Sequence, residues 1–312
     1  MAKTEKGGSA TTSYRKAQID DLEIFYREAG DAENPVILLL HGFPSSSHMF
    51  RNLIDRLSGD YHLIAPDYPG FGYSSCLGLA SFNYTFDNIS KIVEKFIDRL
   101  SLANITFYMQ DYGGPVGFRI AKRRPELIKA FIIQNANTFH EGIGPDVQKI
   151  GALQAADDPE QFEAAIDRMM SFEGIKEQYL FGTKNPTAIS PDAYYIDSFF
   201  MQQPGRKEVQ KALFKDYATN FPKYPEWQQY LADYQPPTLI TWGKNDKIFP
   251  GAGALAYQHI LPHAEIHLLE GGHFLTEEYC NEIATLINAF MQKYCRKLPR
   301  PLQFAVRKND HD

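Results

Sequence analysis

Two kinds of pattern take turns along this chain, and their order limits the folds open to it. Short apolar, β-branched runs lie at Glu23–Arg27, Val36–Leu40, His62–Ala65, Ile105–Gln110, Ala130–Gln134, Thr238–Trp242 and Glu265–Leu269. Between them come longer stretches that read as helices, near Ser46–Leu57, Phe86–Leu102, Pro115–Arg123, Gly251–Ile260 and Glu277–Tyr294. In Phe86–Leu102 the residues Ile89, Ile92, Val93, Phe96, Ile97 and Leu100 recur at three-four spacing, which is one face of a helix. Strands that alternate with helices pair in parallel through helical crossovers. The alternation therefore predicts an α/β fold with a mostly parallel sheet covered on both faces.

The alternation stops between about Phe139 and Tyr234. This stretch reads as helices only, at Val147–Ala156, Glu160–Met170, Ile175–Phe181, Pro191–Phe200 and Lys207–Asn220, and is interrupted by Pro186, Pro191, Pro204, Pro222 and Pro225. Strands resume after Pro237. An all-helical insert between two strands of one sheet predicts a cap over the active end. The expected organisation is a flexible N-terminal tail over 1–16, a core over 17–138 and 235–297, a helical cap over 139–234, and a C-terminal extension over 298–312.

Bulk composition excludes several classes. The chain has 312 residues, a net charge of -6 and no basic block, which argues against nucleic acid. The three cysteines, Cys76, Cys280 and Cys295, are far apart, as free thiols in a reducing compartment would be. Met1 to Lys16 is polar, unlike a secretory signal. Val36–Leu40 is the longest clean apolar run, far short of the roughly 20 residues a membrane helix needs. A soluble cytoplasmic protein, monomer or homodimer, without membrane contact is expected. The histidines outside the segments below share no ligand spacing with carboxylates or cysteines, and HExxH is absent. Gly70 and Gly72 open no helix, so they make no dinucleotide fingerprint, and Asp67 beside them reads as a loop brace. No metal or cofactor is expected.

Four segments carry chemistry. In Ile105-Thr-Phe-Tyr-Met-Gln-Asp111-Tyr-Gly-Gly-Pro-Val-Gly117 a strand ends, one residue occupies a tight turn, and glycines open a helix. That is the layout of a nucleophile elbow, with Asp111 where a serine commonly stands. The other reading of Asp111 is a helix cap. In Val36-Ile-Leu-Leu-Leu-His41-Gly42-Phe43-Pro44 a buried strand runs into His-Gly, so the Phe43 and Tyr112 N–H groups can form an oxyanion hole. The His41 side chain reads as a brace for the loop. Thr238-Leu-Ile-Thr-Trp-Gly-Lys-Asn-Asp246 sets an acid after a strand, and Leu268-Leu-Glu-Gly-Gly-His273-Phe sets a histidine after the next. The order nucleophile, acid, histidine is that of α/β-hydrolases.

From about residue 17 to residue 297 the chain resembles the α/β-hydrolase superfamily, and within it the haloalkane dehalogenase and epoxide hydrolase branch. Met109-Gln-Asp-Tyr-Gly-Gly114 is similar to the dehalogenase form of the elbow, whereas His41-Gly-Phe-Pro44 is frequent in epoxide hydrolases and fluoroacetate dehalogenases. The strand Ala130–Gln134, which carries the acid in some relatives, is followed only by Asn135 and Asn137. The resemblance implies Asp111 as nucleophile, Asp246 and His273 as its partners, and a small or medium apolar substrate hydrolysed with water.

Two positions depart from the pattern. Dehalogenases hold halide between an indole N–H beside the nucleophile and a second donor, either an Asn after the His-Gly pair or a Trp in the cap. Tyr112 and Phe43 stand in the first two places here; Trp227, at the end of the insert, is the candidate replacement, and its other reading, the favoured one, is that it packs the insert on the core. Epoxide hydrolases use cap tyrosines to protonate the ring oxygen. Of Tyr179, Tyr194, Tyr195, Tyr217, Tyr224 and Tyr230, Tyr217 falls where such a residue is expected. The expected substrate-binding residues are thus Tyr112, Phe43, Tyr217 and Trp227. The expected function is dehalogenase-like, with epoxide hydrolysis as the alternative and a ligand-binding protein without turnover as the third.

Overall fold

The computed structural model describes residues 11–295. Among them, eight strands form one sheet in the order β1-β2-β4-β3-β5-β6-β7-β8. The strands are β1 (Ser13–Ile19), β2 (Leu22–Ala29), β3 (Val36–Leu40), β4 (His62–Pro66), β5 (Ile105–Gln110), β6 (Ile128–Gln134), β7 (Thr238–Gly243) and β8 (Glu265–Leu269). β1 pairs antiparallel with β2 and β2 with β4, and every other pairing is parallel. The continuous apolar runs of β3 and β5 are buried along nearly their whole length, as strands covered on both faces must be.

The crossovers supply α1 (Arg51–Leu57), α2 (Phe86–Arg99) and α3 (Gly113–Arg123). The three-four stripe of α2 is its buried face, and Thr85 caps it by accepting the Asn88 N–H at 3.1 Å, worth about 1 kcal/mol. Between β6 and β7 come α4 (Pro145–Ala155), α5 (Pro159–Met169), α6 (Phe172–Leu180), α7 (Pro191–Met201), α8 (Arg206–Asp216) and α9 (Tyr224–Tyr234), with no strand among them. Then follow α10 (Ala252–Ala256), α11 (Leu275–Glu278) and α12 (Cys280–Tyr294).

Two expectations need correction. Residues 13–16, assigned to a tail, belong to β1 and pair with β2. Only Ala17 and Ile19 of β1 are buried, so this edge strand shows charge instead of an apolar run. Helix α9 was not expected because Pro225 reads as a breaker, yet it sits in the first turn, where its missing N–H costs nothing. The expected C-terminal extension over 298–312 and the first ten residues of the tail lie outside the described residues. No helix among the described residues is long and apolar enough to cross a membrane.

Candidate active site

Asp111 occupies the turn between β5 and α3 with φ +50°. A left-handed conformation costs a non-glycine residue roughly 1–2 kcal/mol, so the surrounding packing must hold it there. Gly113 passes so near the Leu40 carbonyl that a Cβ would overlap it, and a Cβ on Gly42 would overlap the Asp111 carboxylate. The N-cap position of α3 is Tyr112 and makes no side-chain bond, so Asp111 does not serve as a cap. Its Oδ1 instead accepts the Phe43 N–H at 2.7 Å, and the Tyr112 N–H also bonds the carboxylate. Burial pushes the Asp111 pKa up to about 6, opposed by His273 and by those two N–H groups. At pH 7 the ionised form still outnumbers the acid about tenfold.

His273 follows β8. Its Nδ1 lies 2.7 Å from Asp246 Oδ2, and its Nε2 lies 3.9 Å from Asp111 Oδ2, too far for a direct hydrogen bond. Donation from Nδ1 to Asp246 leaves the lone pair on Nε2. Burial disfavours the imidazolium, but the carboxylates of Asp246 and then Asp111 outweigh it and hold the His273 pKa above its ordinary value. Asp246 is itself fully engaged: Oδ1 accepts from Ile248 N at 2.7 Å and Phe249 N at 3.1 Å, and Oδ2 accepts from Asn135 Nδ2 at 2.6 Å as well as from His273. The arrangement offers an ionised oxygen nucleophile, two N–H groups at its carboxylate, and a base oriented by a second carboxylate.

A narrow cavity of about 570 Å³, counting its open side, lies over Asp111. The core contributes Phe43, Tyr112, Ile248 and Phe249 to its walls, and the insert contributes Val147, Ile150, Met169, Phe214, Tyr217 and Phe221. Residues 35–278 match the alpha/beta hydrolase fold family, which is most of the chain. The chain belongs to the α/β-hydrolase family.

The hydrolase is 38% identical over 277 residues to an uncharacterized hydrolase of Saccharomyces cerevisiae, a match covering 87% of this chain and 94% of the relative. It is 29% identical over 287 residues to a cis-3-alkyl-4-alkyloxetan-2-one decarboxylase of Shewanella oneidensis, covering 86% and 85%. Among solved structures, a haloalkane dehalogenase of Agrobacterium tumefaciens superposes with a TM-score of 0.74 at 23% identity, covering 91% of the hydrolase and 97% of that chain. That likeness shows a shared fold.

The hydrolase brings Asp111, Asp246, His273, Phe43 and Tyr112 together at one end of the sheet. Tyr217 also reaches the cavity, with its ring centre 6.0 Å from that of Tyr112. The Tyr112 hydroxyl is buried and has no hydrogen-bond partner among the described residues. Burial first, and then the Asp111 charge, hold its pKa well above the ordinary value, so the phenol keeps its proton. Tyr217 is likewise held high by burial, and its hydroxyl bonds that of Tyr224. Trp227 is not brought to the cavity. It is 1% exposed, stacked on Phe118 at 5.6 Å and beneath the Arg119 guanidinium at 5.3 Å, so it fastens α9 to α3. The His41 ring lies between the Tyr68 N–H, accepted at 3.1 Å by Nε2, and its neighbour's carbonyl Gly42 O, which Nδ1–H reaches at 3.2 Å. Burial pushes its pKa down to about 3, which makes it a neutral brace. Asp67 accepts the N–H groups of Ser47 and Tyr73 and braces its loop in the same way.

Sequence reasoning treated Asn135 only as a place where a carboxylate is missing. In the hydrolase it is fully buried with φ +45°. Its carbonyl accepts the Asp111 N–H at 3.2 Å, its Oδ1 accepts the Gly243 N–H at 3.2 Å, and its Nδ2 holds Asp246. One asparagine on β6 thus ties the ends of β5 and β7. The tolerance of asparagine for the left-handed region was the available signal, but its three partners come from distant segments.

Proposed function

We propose that this hydrolase captures small or medium apolar substrates as an alkyl ester of Asp111, which water activated by His273 then cleaves. The observation that supports it most is the 3.9 Å separation of His273 Nε2 from Asp111 Oδ2. A base that must activate its nucleophile bonds it directly, whereas a base that acts on water needs room beside it. Asp111 needs no activation, since it is already ionised.

Oδ2 attacks an sp³ carbon, and the bond from that carbon to its leaving atom breaks. Water then adds to Cγ while its proton passes to His273 Nε2. The tetrahedral oxyanion, on the oxygen facing Phe43 N and Tyr112 N, collapses and expels the alkoxide, which takes the proton back from His273. Asp246 keeps the imidazole in its working tautomer and stabilises the imidazolium. Residues 139–234 act as the cap that shapes the substrate chamber.

The donors nearest the carboxylate decide between leaving atoms. Halide needs donors but no proton, while the alkoxide released from a strained ring needs a proton as well. The positions that hold an indole or an amide in dehalogenases are Tyr112 and Phe43 here, and the phenols of Tyr112 and Tyr217 line the same chamber. This favours ring opening of an epoxide or another strained cyclic ether or ester over halide displacement. The oxetan-2-one in the name of the Shewanella relative is also a strained oxygen ring. Halide displacement stands as the second reading, supported by relatives named haloalkane dehalogenase.

His273→Gln, exposed to panels of epoxides, oxetanones and haloalkanes, separates these readings by intact mass. Ring opening adds the whole substrate mass to Asp111, and halide displacement adds the substrate less hydrogen halide. Tyr112→Phe and Tyr217→Phe should slow ring opening and leave halide release nearly unchanged. An unmodified Asp111 in a variant that still consumes substrate would sink the scheme.

A further inference from the structure

Gln110 is the last residue of β5, and no part of it is exposed. Its amide nitrogen lies 2.9 Å from His273 Nε2, the atom that must take the proton of water. With Nδ1–H turned to Asp246, that Nε2 is an acceptor and the Gln110 amide is its donor. The other end of the same amide, Oε1, is buried without a hydrogen-bond partner among the described residues. Its neighbour across the sheet is Gln134, in register with it, which directs its amide nitrogen at the His273 carbonyl at 3.5 Å and accepts the Tyr108 hydroxyl. Gln110 therefore has one amide end on the base and one end with nothing to bond.

A fixed amide in this orientation opposes the reaction. It occupies the lone pair that receives the proton, and once Nε2 is protonated, N–H would face N–H. Rotation of the amide by half a turn removes the conflict, since Oε1 then accepts the new Nε2–H. A bond to a charged donor is about twice as strong as the neutral one it replaces. We infer that Gln110 is a positioning residue that turns its amide with the protonation state of His273, holding the neutral base through Nε2 and the imidazolium through Oε1. It moves no proton itself. The kinetic consequence rests on the ester scheme proposed above, but the rotation does not.

The sign of one titration decides the matter. Wild-type protein, Gln110→Met and Gln110→Glu are labelled with ¹⁵N at histidine, and the His273 ring is followed by NMR against pH. If the amide rotates, its net effect favours the imidazolium, so methionine lowers the His273 midpoint by about half a unit to one unit. If the amide is a fixed donor, its net effect favours the neutral ring, so methionine raises the midpoint. A rise or no change overturns the inference. Glutamate, a permanent acceptor, should raise the midpoint and confirms that position 110 faces the ring. A second measurement needs no variant. The Gln110 side-chain NH₂ should show a nuclear Overhauser contact to the His273 ring above the midpoint and lose it below. Persistence of the contact at low pH overturns the rotation. In single turnover, Gln110→Met should slow ester hydrolysis by about tenfold to a hundredfold while ester formation changes only about threefold. Equal slowing of both halves also counts against it. Absence of any ester in His273→Gln removes the scheme and leaves the titration to be judged alone.

Discussion

Asp246→Asn is the substitution whose outcome the structure constrains most closely. The carboxylate accepts four hydrogen bonds, two on each oxygen, so an amide of the same shape must place its NH₂ against a pair of donors. If NH₂ replaces Oδ1, it faces the N–H groups of Ile248 and Phe249. If it replaces Oδ2, it faces the Asn135 amide and the Nδ1–H of His273, and the imidazole escapes by moving its proton to Nε2. Either way a buried donor loses its acceptor, at a cost of about 1–3 kcal/mol. For a chain of this size that lowers Tm by roughly 2–10 °C. The kinetic effect is larger and one-sided. In the proposed scheme hydrolysis of the ester needs Nε2 free of a proton and an imidazolium supported by a carboxylate, and loss of both costs on the order of a thousandfold to ten-thousandfold. Ester formation uses neither and should stay within about tenfold. Rapid quench with intact-mass detection should show a stoichiometric burst of ester followed by almost no turnover. Equal slowing of ester formation and hydrolysis, with no ester accumulated, would refute the division of labour between Asp111 and His273.

Four further outcomes follow from the geometry. With Asp111 near pKa 6, ester formation should be level above pH 7 and fall about tenfold per unit below pH 5, read as the burst rate across pH 4–8. Ester hydrolysis requires neutral His273, and the ester removes one of the charges that raise its pKa, so its midpoint should lie below that of the free protein. Gly42→Ala drives a methyl group into the Asp111 carboxylate and should lower kcat/KM about a hundredfold or more, with a melting curve displaced by only a few degrees. Trp227→Ala should cost about 3–5 kcal/mol of stability while single-turnover rates of the folded protein at low temperature change little. A selective loss of ester formation at full stability would instead place Trp227 at the leaving atom.

What the sequence discloses depends on how local the cause is. β3 and β5 begin and end where the sequence places them, because strands buried on both faces carry no charged residue. β1 escapes notice because an edge strand is written mostly in charged and polar residues. The α/β class and the helices between β6 and β7 follow from period alone. The candidate site is legible at Asp111, Asp246 and His273, each of which lies in the turn that follows a strand. Asn135 and Gln110 are not, since nothing near them in the chain shows that one spans two strand ends and the other meets the imidazole. Trp227 carried two readings, a donor at the leaving atom and a residue packing the insert on the core, and its contacts with Phe118 and Arg119 are those of the second. Tyr217 could be singled out from its place late in the insert, and it lines the chamber, but the fold of the insert alone shows that its ring stands beside that of Tyr112.

The bridge made by Asn135 has a consequence for how this protein can change. Asp111, Asn135 and Asp246 follow three adjacent strands, β5, β6 and β7, and the hydrogen bonds of one asparagine gauge their positions. Ten of the residues lining the chamber come from the insert, which takes no part in that gauge. Mutation can therefore remodel the insert to admit larger, smaller or differently shaped molecules while the reacting groups stay in register. The reverse does not hold, because an alteration at residue 135 detunes the machinery for every molecule the chamber admits.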